Sequence, residues 1–317
     1  MEVNGQLSKK MPPQCNIFPS SYVIYTETTN NRIMRNIRRN FFAACLMAMA
    51  FCVVACSASK VSTVQKTKKT CKVEYFSKIE STAIVDIVYT QGNSTSARIE
   101  GNKQLVDRVV LKNVGSKLVV GLKGNNISFS GDMDVKVYVS SPDLTDVTLR
   151  GSGDFETNSN IDTDNLTLYL AGSGDAKLRN VICDKFNCRI DGSGDMEAQN
   201  IDTKLSQVSI NGSGDLKLNV ANASSARFVI AGSGDIRTKL SNCSSVTCLV
   251  NGSGDVSADL NDCGYVTCQT NGSGDITLRG TAKELRQSAN GSGDIHSSGL
   301  KTGSTTKKNG GNGPRKM

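Results

Sequence analysis

The sequence contains one histidine, His296, among its 317 residues. A Ser-His-Asp triad or a metal site of clustered histidines therefore cannot be assembled elsewhere in the chain. His296 itself, close to the C-terminal end, is predicted to be a surface residue. The chain also lacks a Gly-rich phosphate loop and the G-x-S-x-G sequence of a nucleophile elbow. These absences leave little support for catalysis.

Long apolar runs are also missing. The run from Phe41 to Val54 has 14 residues, fewer than the ~20 that span a bilayer as a helix. It follows Met34 and a basic stretch that contains three arginines, and this order is typical of a secretory signal. We therefore predict a signal peptide over residues 34–55, with residues 1–33 as an upstream extension.

The end of the signal segment carries a second pattern. Val53-Val54-Ala55-Cys56 resembles the lipobox of bacterial lipoproteins, whose cysteine becomes the lipidated first residue. Cys56 is therefore the predicted lipidation site, and plain signal-peptide cleavage near Ala58 is the alternative. We expect an exported protein, an outer-membrane lipoprotein that faces the periplasm or the cell surface.

Acidic residues are missing from two stretches of the chain, and the formal net charge of +8 therefore misrepresents its middle. Residues 56–72 contain five lysines and no acid, which predicts a solvated basic tether. Residues 301–317 contain five basic residues and no acid, which predicts a disordered tail. Residues 73–300 carry a net charge of −6, so nucleic acid is not an expected partner.

One tetrapeptide, Gly-Ser-Gly-Asp, is abundant. It occurs eight times at intervals of 19 to 21 residues, beginning at Gly151, Gly172, Gly192, Gly212, Gly232, Gly252, Gly272 and Gly291. A fixed period near 20 is typical of a solenoid, in which each repeat forms one coil and the coils stack. We predict a regular solenoid over residues 151–300.

Each coil contains two short runs in which apolar and polar residues alternate, as in a strand with one buried face. In the coil that begins at Gly232, the apolar or small positions are Ile236, Thr238, Leu240, Val246, Cys248 and Val250. The pattern predicts an all-β, parallel β-solenoid with two main strands per coil and Gly-Ser-Gly-Asp turns between the sheets. A β-meander or barrel of Gly-rich hairpins is the alternative.

Glycine suits these turns because a tight reversal needs a positive φ or a close approach of two backbones, and glycine allows both. The predicted turn-forming glycines are Gly172, Gly174, Gly192, Gly194, Gly212, Gly214, Gly232, Gly234, Gly252, Gly254, Gly272 and Gly274. Residues 73–150 are strand-like without the tetrapeptide, and Ser130-Gly131-Asp132 is interpreted as a degenerate turn. Because terminal coils must cover an open core edge, we predict irregular first coils of the same domain there.

The repeated tetrapeptide follows a β-rich segment that ends in Val139-Ser140-Ser141-Pro142-Asp143-Leu144. With these features the chain, over about residues 74–298, resembles the head-GIN domain family of proposed auto-transporter adhesins. The resemblance implies a right-handed β-superhelix with its Gly-Ser-Gly turns between two sheets, and a role in cell adhesion. It implies no catalytic residues.

Each repeat ends in an aspartate, and stacking would place these carboxylates ~4.8 Å apart, where like charges repel. We expect each aspartate to accept hydrogen bonds from its own turn, with Lys177, Lys217 and Arg237 offsetting the charge. The alternative is a row of bound Ca²⁺ ions. One carboxylate and one serine hydroxyl per coil would supply few of the oxygen ligands that Ca²⁺ takes. Its ligands would come from Asp154, Asp175, Asp195, Asp215, Asp235, Asp255, Asp275 and Asp294.

Six cysteines occupy the same two positions of three coils, with four residues between the members of each pair. In an exported protein this pattern favours a disulfide within each coil. The predicted bridges are Cys183–Cys188, Cys243–Cys248 and Cys263–Cys268. Buried free thiols are an alternative, because other coils have small or apolar residues at these positions, and a metal site of the last four cysteines is another.

Two classes of function follow. The first is a lipid-anchored, non-catalytic module without a cofactor that presents a polar face to a surface glycan or protein, with a homotrimer left open. The second is a carbohydrate-active enzyme of the β-helix type, such as a polysaccharide lyase or hydrolase. We favour the first, because the outer basic residues are scattered among acidic and polar ones, as on an ordinary solvated face. These residues are Lys177, Arg179, Arg237, Lys239 and Arg279.

Overall fold

The computed structural model describes residues 65–124 and 134–309, which fold almost entirely as β-strands. The upstream extension, the signal segment, Cys56 and the degenerate turn at 130–132 lie outside the described residues. Among the residues described, no helix is both long enough and apolar enough to cross a membrane.

The N-terminal part mixes parallel and antiparallel strands. Its elements are β1 (Lys66–Cys71), β2 (Lys78–Ser81), β3 (Asp86–Gln91), β4 (Ser96–Asn102), α1 (Lys103–Val106), β5 (Val109–Val114), β6 (Lys117–Leu122), β7 (Val135–Ser141) and β8 (Asp146–Leu149). Strand β4 pairs antiparallel with β1 and β7, and β5 pairs antiparallel with β6. Strand β2 pairs in parallel with β8, and β3 pairs in parallel with residues 155–157 of the first repeat, so the coil stack begins before the first tetrapeptide.

The repeat region continues the stack with either two strands or one long bent strand per coil. Its strands are β9 (Phe155–Thr157), β10 (Ile161–Asp162), β11 (Asn165–Leu170), β12 (Ala176–Ile190), β13 (Met196–Ile210), β14 (Leu216–Ala221), β15 (Ser225–Ile230), β16 (Ile236–Ser241), β17 (Ser245–Val250), β18 (Val256–Thr270), β19 (Ile276–Ala289) and β20 (Ile295–Asn309).

Pairing between the coils is parallel and follows the 20-residue period. Leu216 pairs with Ile236, and Ile236 pairs with Val256. A meander of hairpins requires antiparallel neighbours, so this alternative is excluded for the repeats. The predicted all-β solenoid of about eight turns, with mostly parallel stacked strands, is confirmed.

The core lies between the two strands of each coil. The inward side chains of the coil that begins at Gly232 are at most 5% exposed, as the alternation predicts: Ile236, Thr238, Leu240, Val246, Cys248 and Val250. Phe186 and Phe228, in the strand segments that precede the turns, are also fully buried. Burying a large apolar side chain contributes about 1.5–3 kcal/mol, so each coil adds its own increment of core.

Two predictions about the ends of the domain are wrong. Residues 66–71 of the predicted tether form β1, where Lys68 lies opposite Glu100 and pairs with its carboxylate at 2.9 Å. Residues 301–309 of the predicted tail belong to β20, which pairs with β19 as far as Asn309. Within the described residues, each segment pairs with one neighbouring strand only. Backbone hydrogen bonds to that strand hold the segment in place, so it can be polar and needs no apolar face.

Candidate binding surface

The Gly-Ser-Gly-Asp turns stack with their backbones in direct contact. A Cβ atom on Gly212 would overlap the carbonyl oxygen of Gly192, and one on Gly214 would overlap that of Gly194. The same overlap recurs for each predicted turn glycine, and none of them has a positive φ. Of the two reasons for glycine, the close backbone approach is the one that applies.

The repeated aspartates form a hydrogen-bonded ladder between coils. The Asp195 carboxylate accepts from the backbone N–H of Asp215 at 2.7 Å, and the Asp215 carboxylate accepts from that of Asp235 at 2.8 Å. We call this series the aspartate ladder; it comprises Asp86, Asp154, Asp175, Asp195, Asp215, Asp235, Asp255, Asp275 and Asp294. The expected bond to the residue's own turn is therefore wrong, because stacked coils bring the next turn's N–H closer.

Two basic side chains, Arg237 and His296, contact oxygen atoms of the ladder carboxylates. Arg237 contacts Asp235 at 3.0 Å and Asp215 at 3.4 Å, whereas Lys217 pairs with Glu197 at 2.7 Å and not with the ladder. His296 lies exposed, with Nε2 3.4 Å from Asp275 Oδ2. The backbone N–H of Asp294 holds the pKa of Asp275 below its usual value, outweighing burial, and His296 adds to this effect.

Calcium ligation by the ladder stays a prediction. One oxygen of each of the carboxylates from Asp154 to Asp275 is already bonded to a backbone N–H. The turn serines are exposed, and none of the hydrogen bonds in the described part of the chain uses their hydroxyl groups. Within residues 65–124 and 134–309, no three histidine, cysteine or acidic side chains are grouped closely enough to hold a metal ion.

The six paired cysteines are free thiols in the core. Cys248 and Cys268 are register partners in adjacent coils, and the Cys243 thiol of the preceding coil lowers the pKa of Cys263. The thiols of Cys243 and Cys263 each donate to a backbone carbonyl at 3.6 Å. Cys183 instead contacts the Thr203 hydroxyl of the next coil at 3.6 Å. Burial raises the pKa of Cys188 to about 12. The three disulfides within coils stay a prediction.

We call the outer surface of the strands that precede the turns the second face. A groove of about 750 Å³ lies on this face. Two in-register rows of side chains line it, each with one residue per coil through β11, β12, β13 and β15. The first row contains Thr167, Asn187, Gln207 and Arg227, and the second contains Tyr169, Arg189, Ser209 and Val229.

The Asp191 carboxylate holds three side chains in place at one end of this groove. Asp191 accepts from Nε of Arg189 at 2.8 Å, from the Tyr169 hydroxyl at 2.9 Å and from the Asn211 amide at 2.7 Å. Burial alone would raise the pKa of Asp191, but these three donors outweigh it and the pKa is lowered. The guanidinium of Arg150 lies 5.5 Å from the centre of the Tyr169 ring. These contacts fix the orientation of the tyrosine and of Arg189.

Other polar groups in the groove have unused hydrogen-bonding capacity. In the part of the chain that the structure describes, no side-chain hydrogen bond or ion pair involves Asn187, Gln207 or Arg227. Elsewhere, stacked asparagines bond to each other, as Asn271 does to Asn251 at 2.9 Å. The free groups of the groove are therefore available to a ligand.

Sequence reasoning missed this groove. Its residues lie 20 positions apart in the chain, and their outward alternation resembles that of an ordinary solvated face. The five basic residues that the sequence singled out lie on the opposite sheet, where the groove of about 310 Å³ beside the ladder is lined by mutually paired charges such as Lys217 and Glu197. Only the combination of register and unpaired amide groups distinguishes the second face.

Solved structures share the fold. One described as "Putative lipid binding protein" from Parabacteroides distasonis has a TM-score of 0.64 at 22% identity, covering 77% of this chain and 98% of that one. A "putative adhesin" from Parabacteroides merdae has a TM-score of 0.62 at 22% identity, with 74% and 96% covered. Another from Bacteroides fragilis has a TM-score of 0.54 at 21% identity, with 76% and 97% covered. At these identities the likeness shows the fold alone.

Comparison of sequences identifies the family. No curated protein matches the chain. The model of the family described as "Putative auto-transporter adhesin, head GIN domain" matches residues 75–247 and 240–315. These two segments cover well over half of the sequence and contain all eight tetrapeptides. The chain therefore belongs to the head-GIN domain family.

Proposed function

We propose that this protein is a non-catalytic, adhesion-type binding module that is exported and held at the outer membrane by a lipid on Cys56. The family description suggests an adhesin at the cell envelope. The apolar segment Phe41–Val54 and the sequence Val53-Val54-Ala55-Cys56 support export and lipidation. In the sequence, nine residues separate Cys56 from Lys66, where the first strand begins.

The observation that carries this proposal is the groove on the second face. It presents a fixed tyrosine, a fixed arginine and unpaired amide groups on a rigid sheet, with positions set by inter-coil register. Preorganised polar groups on a rigid element bind a ligand without a large ordering cost. The ligand class that suits these unpaired amide and guanidinium groups is a glycan or protein at a cell surface.

Binding and catalysis can be separated in one experiment. The purified protein is applied to an array of bacterial-envelope glycans, host-surface glycans and matrix proteins, and the release of sugar fragments is measured in parallel. We expect retention on a subset of the array without bond cleavage. Cleavage of a retained glycan would favour the polysaccharide lyase or hydrolase alternative, and retention on nothing would contradict a binding module.

The anchor is tested separately in bacteria by metabolic labelling with an alkyne fatty acid. We expect label on the wild-type protein and none on the Cys56→Ala variant, which should leave the membrane fraction. Equal labelling of the variant would contradict lipidation at Cys56. So would a wild-type protein that carries no label and is found in the soluble fraction.

A further inference from the structure

We infer that the groove on the second face binds a linear polysaccharide whose sugars carry carboxylate groups, an inference that rests on the proposed binding function. The groove is defined by Thr167, Asn187, Gln207 and Arg227 in one row and by Tyr169 and Arg189 in the other.

The first row matches hydroxyl groups. An amide side chain offers donors and an acceptor, and a threonine hydroxyl offers both, as each sugar hydroxyl does. In the described part of the chain, the side chains of Thr167, Asn187 and Gln207 make no hydrogen bonds. Three such groups, one per coil, give a ligand with repeated hydroxyl groups a repeated set of partners.

Two guanidinium groups match carboxylates. Arg189 bonds to Asp191 through Nε, and none of the hydrogen bonds of the described residues uses its terminal nitrogens. Arg227 is exposed and, within the same described residues, has no ion-pair partner. Arg150 beside Tyr169 is already paired with Glu80 at 3.6 Å, so the groove holds two cations, Arg189 and Arg227, against the single carboxylate of Asp191, on a body whose residues 73–300 carry −6. Guanidinium groups bind carboxylates through paired hydrogen bonds, so this local positive charge selects an acidic ligand.

The extent of the groove favours a polymer over a single sugar. Its rows cross four coils, and at ~4.8 Å per coil the distance from Thr167 to Arg227 is about 14 Å. Both rows run along the axis of the stack, so a chain lying along this axis meets one side chain of each row at every coil. The expected ligand therefore occupies several coils at once.

The same geometry disfavours other ligands. An extended peptide that adds a strand needs a free sheet edge, whereas the groove lies on a sheet face whose strands are paired on both sides. A lipid chain needs a continuous apolar wall, whereas the apolar residues of this lining (Leu168, Tyr169, Cys188, Val208 and Val229) alternate with polar and charged side chains.

The test measures binding of polygalacturonate to the full protein by calorimetry at low salt, against methyl-esterified polygalacturonate and poly-glutamate. We expect the free acid to bind and the ester, which keeps the hydroxyl groups but lacks the charge, to bind about tenfold more weakly. Arg227→Gln should weaken binding of the acid by about tenfold as well. Arg179→Gln, the same change at an exposed arginine on the opposite sheet, should leave it unchanged.

Each other outcome overturns a defined part of this inference. Equal binding of acid and ester, or equal effects of the two arginine variants, would remove the carboxylate site from the groove. Poly-glutamate binding with the same dependence on Arg227 would identify an acidic peptide as the ligand. If no polymer binds while the protein is retained elsewhere on the array, the inference fails and the binding module stands; retention on nothing contradicts both. Circular dichroism of each variant confirms that the fold is kept.

Discussion

The carboxylate of Asp215 accepts a hydrogen bond from the backbone N–H of Asp235, one coil further along, at 2.8 Å. The same bond recurs along the stack, and each one ties a turn to the next turn. A carboxylate that accepts from a backbone N–H is stabilised in its ionised form, which offsets the repulsion between neighbouring rungs. The aspartate ladder is therefore a connection between coils.

Removing one rung should destabilise the fold. Asp215→Ala leaves the N–H of Asp235 without its acceptor and takes away one of the two carboxylates that Arg237 contacts. We expect a loss of about 1–3 kcal/mol in the free energy of unfolding, measured by urea denaturation. Asp294→Ala is the matched control, because within the described residues the Asp294 carboxylate accepts no hydrogen bond. Equal losses in the two variants would contradict a role in linking coils.

A methyl group on a turn glycine should separate two coils. Gly212 does not have a positive φ, so alanine is compatible with its backbone, but the added Cβ would overlap the carbonyl oxygen of Gly192. We expect Gly212→Ala to lower the free energy of unfolding by about 2–3 kcal/mol, seen as a lower melting temperature. Ser213→Ala changes the exposed neighbour in the same turn and should have almost no effect. A stable Gly212→Ala protein would show that the turns are not in backbone contact.

Stability should decrease in acid. The pKa values of Asp191 and Asp275 are lowered in the folded protein by the donors that surround their carboxylates. A lowered folded-state pKa means that the stabilisation is complete above the unfolded value of 3.8 and is lost as the pH falls through the folded value. The melting temperature should therefore stay level down to about pH 5 and fall below about pH 4. Asp275→Asn should show a smaller acid-induced fall, and a melting temperature that rises in acid would contradict this assignment.

Oxidation of the core cysteines, where it occurs, should link neighbouring coils. Cys243 and Cys263 occupy equivalent positions of neighbouring coils, as Cys248 and Cys268 do, and such coils lie ~4.8 Å apart, within the Cα separation of a disulfide. Peptide mapping by mass spectrometry under non-reducing conditions should find either free thiols or bridges across coils, Cys243–Cys263 or Cys248–Cys268, with Cys183 and Cys188 reduced. Bridges from Cys243 to Cys248 and from Cys183 to Cys188 would instead establish the pairing predicted from the sequence.

The period of the tetrapeptide predicted the coil, its two strands and the inward residues, because each depends on local alternation and on a fixed repeat. The amino-acid sequence does not indicate where the stack of turns begins. Gly151 and Gly153 stack on Ala83 and Val85, and Asp154 bonds to Asp86, yet this first layer contains no glycine. A turn needs glycine where the carbonyl oxygens of a previous turn press against it, so the first turn carries no sequence signal.

Other features depend on relations between coils. The partner of each aspartate from Asp154 to Asp275 lies 19 to 21 residues away, whereas the local pattern predicted a bond within its own turn. The groove is invisible in sequence for the same reason, since Asn187 and Gln207 become neighbours only in the stack. Strand formation in residues 301–309 was missed because hydrogen bonding of backbone to β19, and not apolar content, determines it.

The central claim is that the repeat builds the scaffold and that its aspartates serve the stack. The most direct test is thermal denaturation of the wild-type protein in excess CaCl₂ and in excess EDTA. The hydrogen-bonded ladder predicts the same melting temperature in both, because an ion that does not bind the native state cannot stabilise it. A saturable rise of several degrees in CaCl₂ that is lost in Asp215→Asn would contradict the account and establish the ladder as a calcium site.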